Sequence, residues 1–336
     1  PMLFPKTMDR EIRRRFTSPE LIQLLRRYAT FNGSDPRRAP ATFLVISYVE
    51  PAFGSWHCPG GIYALVEALE GLAREIGVEV RTGAGVRRVR FAPSGAVSGL
   101  ELETGEAAEA ESVVVNADAI GAWTGELLRD HPSAAYWKNR YEQEETSVSG
   151  FVLLAAVDRK VEGLGCHNIF FCEDYDREFA EIFEDAGPPS SPTLYLHAPS
   201  KVDASLAPEG KEGWFILVNA PPLDRCATWP EGYGERVLSA LGERFAAHGM
   251  AFSETWLRWT HSRTPRYFSD AYASWQGSLY GLSSNTLRTA FRRTPNRWKR
   301  GGLYFAGGSA HPGGGIPLVL WSGKIAAEAV LRDTGR

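Results

Sequence analysis

The sequence predicts a mixed α/β protein of two layered domains, and three observations carry that reading. Residues Gly60 to Asp118 read in succession as a helix, a strand meander and a buried strand. The short apolar run Leu303-Tyr304-Phe305-Ala306 ends in glycines and leads into a helical pattern. Between roughly 130 and 270 the chain changes character, becoming rich in aromatics, prolines and strand-like runs. With 336 residues, 43% hydrophobic and 23% charged, the chain can bury a core larger than one small domain and is too apolar to be disordered.

Taken in order, residues 9 to 29 predict two short helices, with Ser18 capping the second and Pro19 in its first turn. The run Thr42 to Val49 fits a strand or a buried helix equally, because a short apolar run carries no deciding period. After Gly60-Gly61 the residues Ile62, Leu65, Val66, Leu69, Leu72, Ala73 and Ile76 follow a helical spacing, and Gly77 stops it. Val78-Glu79-Val80, Val86 to Phe91 and Ala96 to Glu103 predict strands, with turns at Ser94-Gly95 and Thr104-Gly105. Ser112 to Asn116 is nearly all valine and predicts a strand covered on both faces. Farther along come strands at Ser149 to Val157, Thr193 to His197 and Trp214 to Asn219. Helices follow at Asp174 to Glu184, at Tyr233 to Ala247, and beyond the glycines to about Leu331.

Composition narrows the function. A formal net charge of -3 is too small to argue for a polyanionic or polycationic partner, and no aromatic and basic pattern for nucleic acid is present. Arginines crowd the segments from Arg10 to Arg38 and from Arg288 to Arg300, which suits either a solvated face or contact with anionic lipid. Cys58, Cys166, Cys172 and Cys226 have neither zinc nor disulfide spacing and fit reduced thiols in a cytosolic protein. His57, His167, His197 and His261 are widely separated and predict no metal set. No apolar stretch is long enough to span a membrane, and the N-terminus has no secretory pattern.

The densest signal lies in Gly301 to Pro317, where five glycines fall within the nine residues from Gly307 to Gly315. Such a loop lets the backbone approach a bulky object, and the amides of the following helix would face it and favour a phosphate or an electron-rich ring. A glycine-rich turn closing a strand–helix unit is the plain alternative. Asp118, ending the valine strand, fits a helix cap or a cofactor contact.

This segment resembles the C-terminal flavin motif of the bacterial phytoene desaturase family, the FAD-dependent carotenoid desaturases and their relatives. The resemblance extends in order through Tyr28 to Ser34, Cys58 to Leu65, Val113 to Asp118, Phe170 to Tyr175 and Pro199 to Pro208. It implies an FAD/NAD(P)-binding, Rossmann-like two-domain flavoprotein fold, present here in part, with a strand-rich substrate domain. Residues 51–125 and 275–336 would then form the FAD-binding domain, and 1–50 and 126–274 the substrate domain. Val86 would reach the adenine, Gly307 and Gly308 the phosphate and ribityl chain, and Gly313, Gly314, Gly315 and Pro317 the flavin ring. His311 would be either a polar flavin contact or a residue that merely orients the loop. The implied reaction passes a hydride from a saturated carbon to the flavin, with loss of a neighbouring proton, in a carotenoid or a precursor such as phytoene. No catalytic side chain is nominated. Trp56, Tyr63, Trp275, Tyr280 and Trp321 are candidates for an apolar wall. An apolar polyene would be collected at a membrane surface by a cytoplasmic, peripherally attached protein. An amine-oxidase-like enzyme for a small substrate, or a non-catalytic binding module, are the rival readings. The family's opening strand, G-x-G-x-x-G turn and helix are missing, since Arg81 to Gly85 leads into a strand. The expectation is therefore a chain that lacks its N-terminal dinucleotide-binding segment.

Overall fold

A computed structural model describes residues 6–185, 187–286, 288–289, 292–298 and 301–335. Lys299 and Arg300 of the second arginine cluster lie outside the described residues. The fold is mixed α/β and divides into two compact units. One comprises Pro1–Ser47, Arg81–Val148 and Arg266–Arg336; the other comprises Tyr48–Val80 and Ser149–Pro265.

The first unit opens with helices Met8–Arg15 and Pro19–Arg26, the second capped by the Ser18 hydroxyl at the amide of Leu21. Three strands form an antiparallel meander: β1 (Val86–Phe91), β2 (Val97–Leu102) and β3 (Ala107–Ala108). A second sheet joins β4 (Val113–Val115), β10 (Arg297–Trp298) and β11 (Leu303–Phe305) in the order β10-β11-β4. β4 runs parallel to β11, with Val114 opposite Tyr304 and Val115 opposite Phe305. Both sheets share one core, where Val89 and Val97 of the meander meet Val115, Leu303 and Phe305. Trp123 lies at its centre, its ring 4.6 Å from that of Trp298.

The second unit holds β5 (Ser149–Val157), β6 (His167–Phe170), β7 (Leu194–His197), β8 (Glu212–Ala220) and β9 (Leu257–Arg263). They form one sheet ordered β6-β7-β8-β5-β9, each neighbouring pair antiparallel. The helix Tyr233–Ala247 supplies Val237, Leu241 and Phe245 to the same core as Phe151, Leu153, Trp214 and Ile216. On each of β5 and β8 one set of alternate residues enters that core, as an antiparallel sheet with a helix on one face requires.

Several expectations need correction. Val78-Glu79-Val80 is not a strand, because it finds no ladder partner. Thr42 to Val49 is helical: a short 3-10 turn, Ala41–Leu44, runs into the helix Val45–Phe53. The valine strand is not covered on both faces. β4 has β11 as its neighbour on one side, and Val114 remains 45% exposed. The helix Tyr63–Glu75 forms as predicted, yet its apolar positions Val66, Leu69 and Leu72 are exposed.

The expected domain boundaries also differ from the compact units. Residues 1–47 group with the C-terminal segment because the turn after the first helices is wired there. The amide of Asp35 donates to Asn285 Oδ1 at 2.8 Å, and that of Ser284 to Ser34 Oγ at 3.1 Å. Residues 48–80 group with the middle of the chain because the Asp203 carboxylate accepts from the Gly60 amide at 2.8 Å and faces His57 Nε2 at 3.2 Å.

Candidate functional site

The glycine loop begins where β11 ends. The Ala306 amide donates to Val115 O at 3.0 Å, continuing the parallel ladder by one residue. The chain then turns at Gly307, whose φ of 111° belongs to glycine and where a Cβ would lie 2.8 Å from Asn116 Nδ2. That same amide nitrogen donates to Ala306 O at 3.1 Å, so Asn116 holds the strand end rather than projecting from it.

Two buried side chains fix the rest of the loop. Ser322 Oγ accepts from the Gly307 amide at 3.1 Å and from Asn296 Nδ2 at 2.8 Å, and donates to His311 O at 2.7 Å. Asn296 Nδ2 also faces Phe305 O at 3.0 Å and His311 O at 2.8 Å. One hydroxyl and one amide thus tie the start of the loop, its middle and the C-terminal helix Ile316–Thr334 together. The His311 amide donates in turn to Thr294 O at 2.9 Å.

The expected cofactor residues divide into two groups. Gly307, Gly308, His311, Gly313, Gly314, Gly315 and Pro317 share this one loop and the first turn of its helix. Val86 stands apart on the meander strand β1, with its side chain 40% exposed. Within the loop the glycines face different things. A Cβ on Gly314 would lie 2.9 Å from Tyr280 Cδ1, and its φ is not positive, so the space beside it belongs to a tyrosine ring. Gly315, with φ 102°, faces open space, and it precedes a 19-residue helix with Pro317 in the first turn. The His311 imidazole is exposed, and what the loop fixes is its backbone.

Asp118 caps the short helix Ala119–Thr124. Its carboxylate accepts from Ile120 N at 2.8 Å, Gly121 N at 3.3 Å and Trp275 N at 3.1 Å, and burial nevertheless raises its pKa. The capping reading therefore accounts for it.

Arg293 is the residue that the sequence patterns did not single out. Its Nη1 donates to Tyr280 O at 3.1 Å and to Gly308 O at 3.3 Å, and Nη2 donates to Ser284 Oγ at 3.4 Å. A Cβ on Gly313 would sit 3.2 Å from its Nε. Burial pushes this guanidinium below the ordinary arginine value. Among the described residues no carboxylate forms an ion pair with it. A cation held by neutral acceptors, beside a helix N-terminus, makes the loop electropositive. The aromatics proposed as an apolar wall separate: Trp56 and Tyr63 belong to the second unit, and Trp275, Tyr280 and Trp321 to the first. Trp56 is 90% exposed.

Residues 5–331 match the flavin containing amine oxidoreductase family. The chain belongs to that family. FAD is the family's cofactor, and a loop with open space at Gly315, a buried guanidinium at Arg293 without a carboxylate partner and a helix N-terminus without a side-chain cap suits a flavin dinucleotide. The chain is 33% identical over 325 residues to a 1-hydroxycarotenoid 3,4-desaturase of a Flavobacterium species, covering 96% of this chain and 64% of that protein. It is 34% identical over 336 residues to a 4,4'-diapolycopene oxygenase of a Methylomonas species, covering 98% of this chain and 65% of that one. It therefore spans just under two thirds of these curated relatives. Among solved structures, an oxidoreductase from Methanosarcina mazei shares the fold with a TM-score of 0.63 at 16% identity, over 97% of this chain and 68% of that one.

Proposed function

We propose that this family member works as part of a FAD-dependent oxidoreductase that desaturates a carotenoid or a precursor such as phytoene. The observation that carries the proposal is the wired glycine loop with its unpaired Arg293 cation. The names of the relatives, a carotenoid desaturase and a diapolycopene oxygenase, support the polyene over a small amine. When bound, FAD would supply a hydride acceptor for desaturation, in which one saturated carbon would give up a hydride and its neighbour a proton to solvent, leaving one new double bond.

The task of the chain is then to hold and orient. Ser322 and Asn296 keep the loop backbone at one height, so that Gly315, which has no side chain, leads the helix N-terminus toward the cofactor. Arg293 offsets negative charge on the cofactor. Contacts by Gly307, Gly308, Gly313 and Pro317 belong to the same reading, with Val86 reaching the adenine and His311 near the ring. Gly314 serves by admitting Tyr280. Among the described residues no helix is long and apolar enough to cross a membrane. Collection of a lipid-borne substrate would rest on exposed apolar groups and arginines at a membrane surface.

The test is anaerobic. The protein carrying this chain at its full length is loaded with FAD and mixed with phytoene in vesicles, then separately with a small primary amine. Bleaching of the flavin by phytoene, with a conjugated product, is the expected result. Bleaching by the amine alone would replace this reading with the amine-oxidase one, and failure to retain FAD would favour a binding module.

A further inference from the structure

The histidines that look unrelated along the chain are brought together by strand register. β6 and β7 pair antiparallel with His167 directly opposite His197. Their rings stack with centroids 4.7 Å apart and planes within 5°. Cys166 immediately precedes β6, and its carbonyl accepts from the Ala198 amide at 2.8 Å, which locks the end of the hairpin. One ligand atom from each of Cys166, His167 and His197 lies within 4.8 Å of the other two.

We propose that Cys166, His167 and His197 form a zinc-class metal site, with water in the fourth position. Thiolate plus two imidazoles is a borderline-soft donor set that suits Zn²⁺ better than Mg²⁺ or Ca²⁺. Tetrahedral zinc holds such donors about 3.5 Å apart, so the cluster must contract by roughly an ångström, within reach of side-chain rotation.

The surroundings favour ligation. His167 Nδ1 is 2.8 Å from the Tyr195 hydroxyl, a partner that fixes the ring and leaves Nε2 for a metal. The Cys166 sulfur is a free thiol before binding. Binding therefore exchanges its proton for the cation: one Zn²⁺ enters, one thiolate–zinc bond forms and one proton leaves to the buffer.

The experiment uses the untagged full chain and Co²⁺ as the optical probe. One equivalent should give visible ligand-field bands and a near-ultraviolet thiolate-to-cobalt band, both displaced by Zn²⁺. Cys166→Ser should remove the thiolate band, whereas Cys58→Ser should leave it unchanged. His167→Gln and His197→Gln should each weaken binding at least about tenfold. Circular dichroism checks the fold. If Cys166→Ser does not fold, the two histidine variants, which keep the thiol, decide. The absence of a thiolate band at millimolar cobalt would overturn the proposal. So would a band that persists in Cys166→Ser, or unchanged affinity in both histidine variants.

Discussion

Replacing Ser322 by alanine should cost far more than its small change in volume suggests. From sequence alone, Ser322 reads as a helix position where alanine would cost little or about 1 kcal/mol. The structure places its hydroxyl at the centre of the loop, fully buried and bonded three ways. Removing Oγ leaves the Gly307 amide, one Asn296 hydrogen and the His311 carbonyl to find other partners. An orphaned buried group costs about 1–3 kcal/mol. Asn296 Nδ2 already faces His311 O and Phe305 O, so two of the three groups are partly rescued. The net expectation is a loss of about 2–3 kcal/mol. It should appear as a lower urea midpoint at constant m, with faster hydrogen exchange at the Gly307 amide. A double-mutant cycle with Asn296→Ala should show coupling above about 0.5 kcal/mol. A loss below about 0.5 kcal/mol, with unchanged exchange at Gly307, would refute the claim that this hydroxyl organises the loop.

Three further outcomes follow from the geometry. Gly314→Ala should destabilise by about 1–3 kcal/mol through contact with Tyr280 and should be rescued by Tyr280→Leu, and a variant that keeps wild-type stability would remove the steric account. Gly315→Ala meets no neighbour but is held at φ 102°, so it should cost about 1–2 kcal/mol that Tyr280→Leu does not restore; equal rescue at both glycines would show that backbone strain is not the cause. Glu11 is buried, and hydrogen bonds from Arg14 first and Arg15 next hold its carboxyl well below the ordinary carboxylate range. Its folded-state pKa is depressed, so the stability it contributes is present above the unfolded value near about 4.3 and is lost as pH falls below it. Glu11→Gln should therefore flatten the acid limb of the urea midpoint against pH; an unchanged acid limb would show that the pair contributes nothing.

Local signals carried much of the fold. Ser18-Pro19 marked a helix start to the residue, and the helix read from Asp174 to Glu184 forms as Tyr175–Phe183 with Asp174 as its cap. Capping is a contest between near neighbours, and a sequence displays all of its participants. Three strands of the second unit, β5, β7 and β8, were equally plain, because a helix covers one face and alternation survives, whereas β6 and the mostly exposed β9 were not read from the sequence. What failed depended on partners elsewhere. Val78 to Val80 has the composition of a strand, but a strand needs a ladder, and none reaches it. The valines of β4 announce two covered faces, and among the described residues nothing packs over the face that carries Val114, which stays 45% exposed. The grouping of residues 1–47 with the C-terminal segment hangs on hydrogen bonds spanning 250 residues, from Asp35 to Asn285 and from Ser284 to Ser34.

The candidate site divides along the same line. Its glycines were visible because backbone demands are written in residue type. The side chains that hold those glycines were not, since one serine in a helix and one asparagine before a two-residue strand look ordinary in any pattern. Arg293 was visible as charge and invisible as a site, because an arginine run usually reads as a solvated face. Its meaning appears only when its acceptors turn out to be the carbonyls of Tyr280 and Gly308 and no carboxylate. A half-buried cation so placed is tolerated when something negative completes it. That requirement can be measured before any substrate is known. Arg293→Met should weaken binding of FAD to the protein carrying this chain at full length, while leaving its urea midpoint unchanged or higher, since a desolvated charge is gone. A lower midpoint with unaltered FAD affinity would mean that Arg293 serves the loop and not the cofactor.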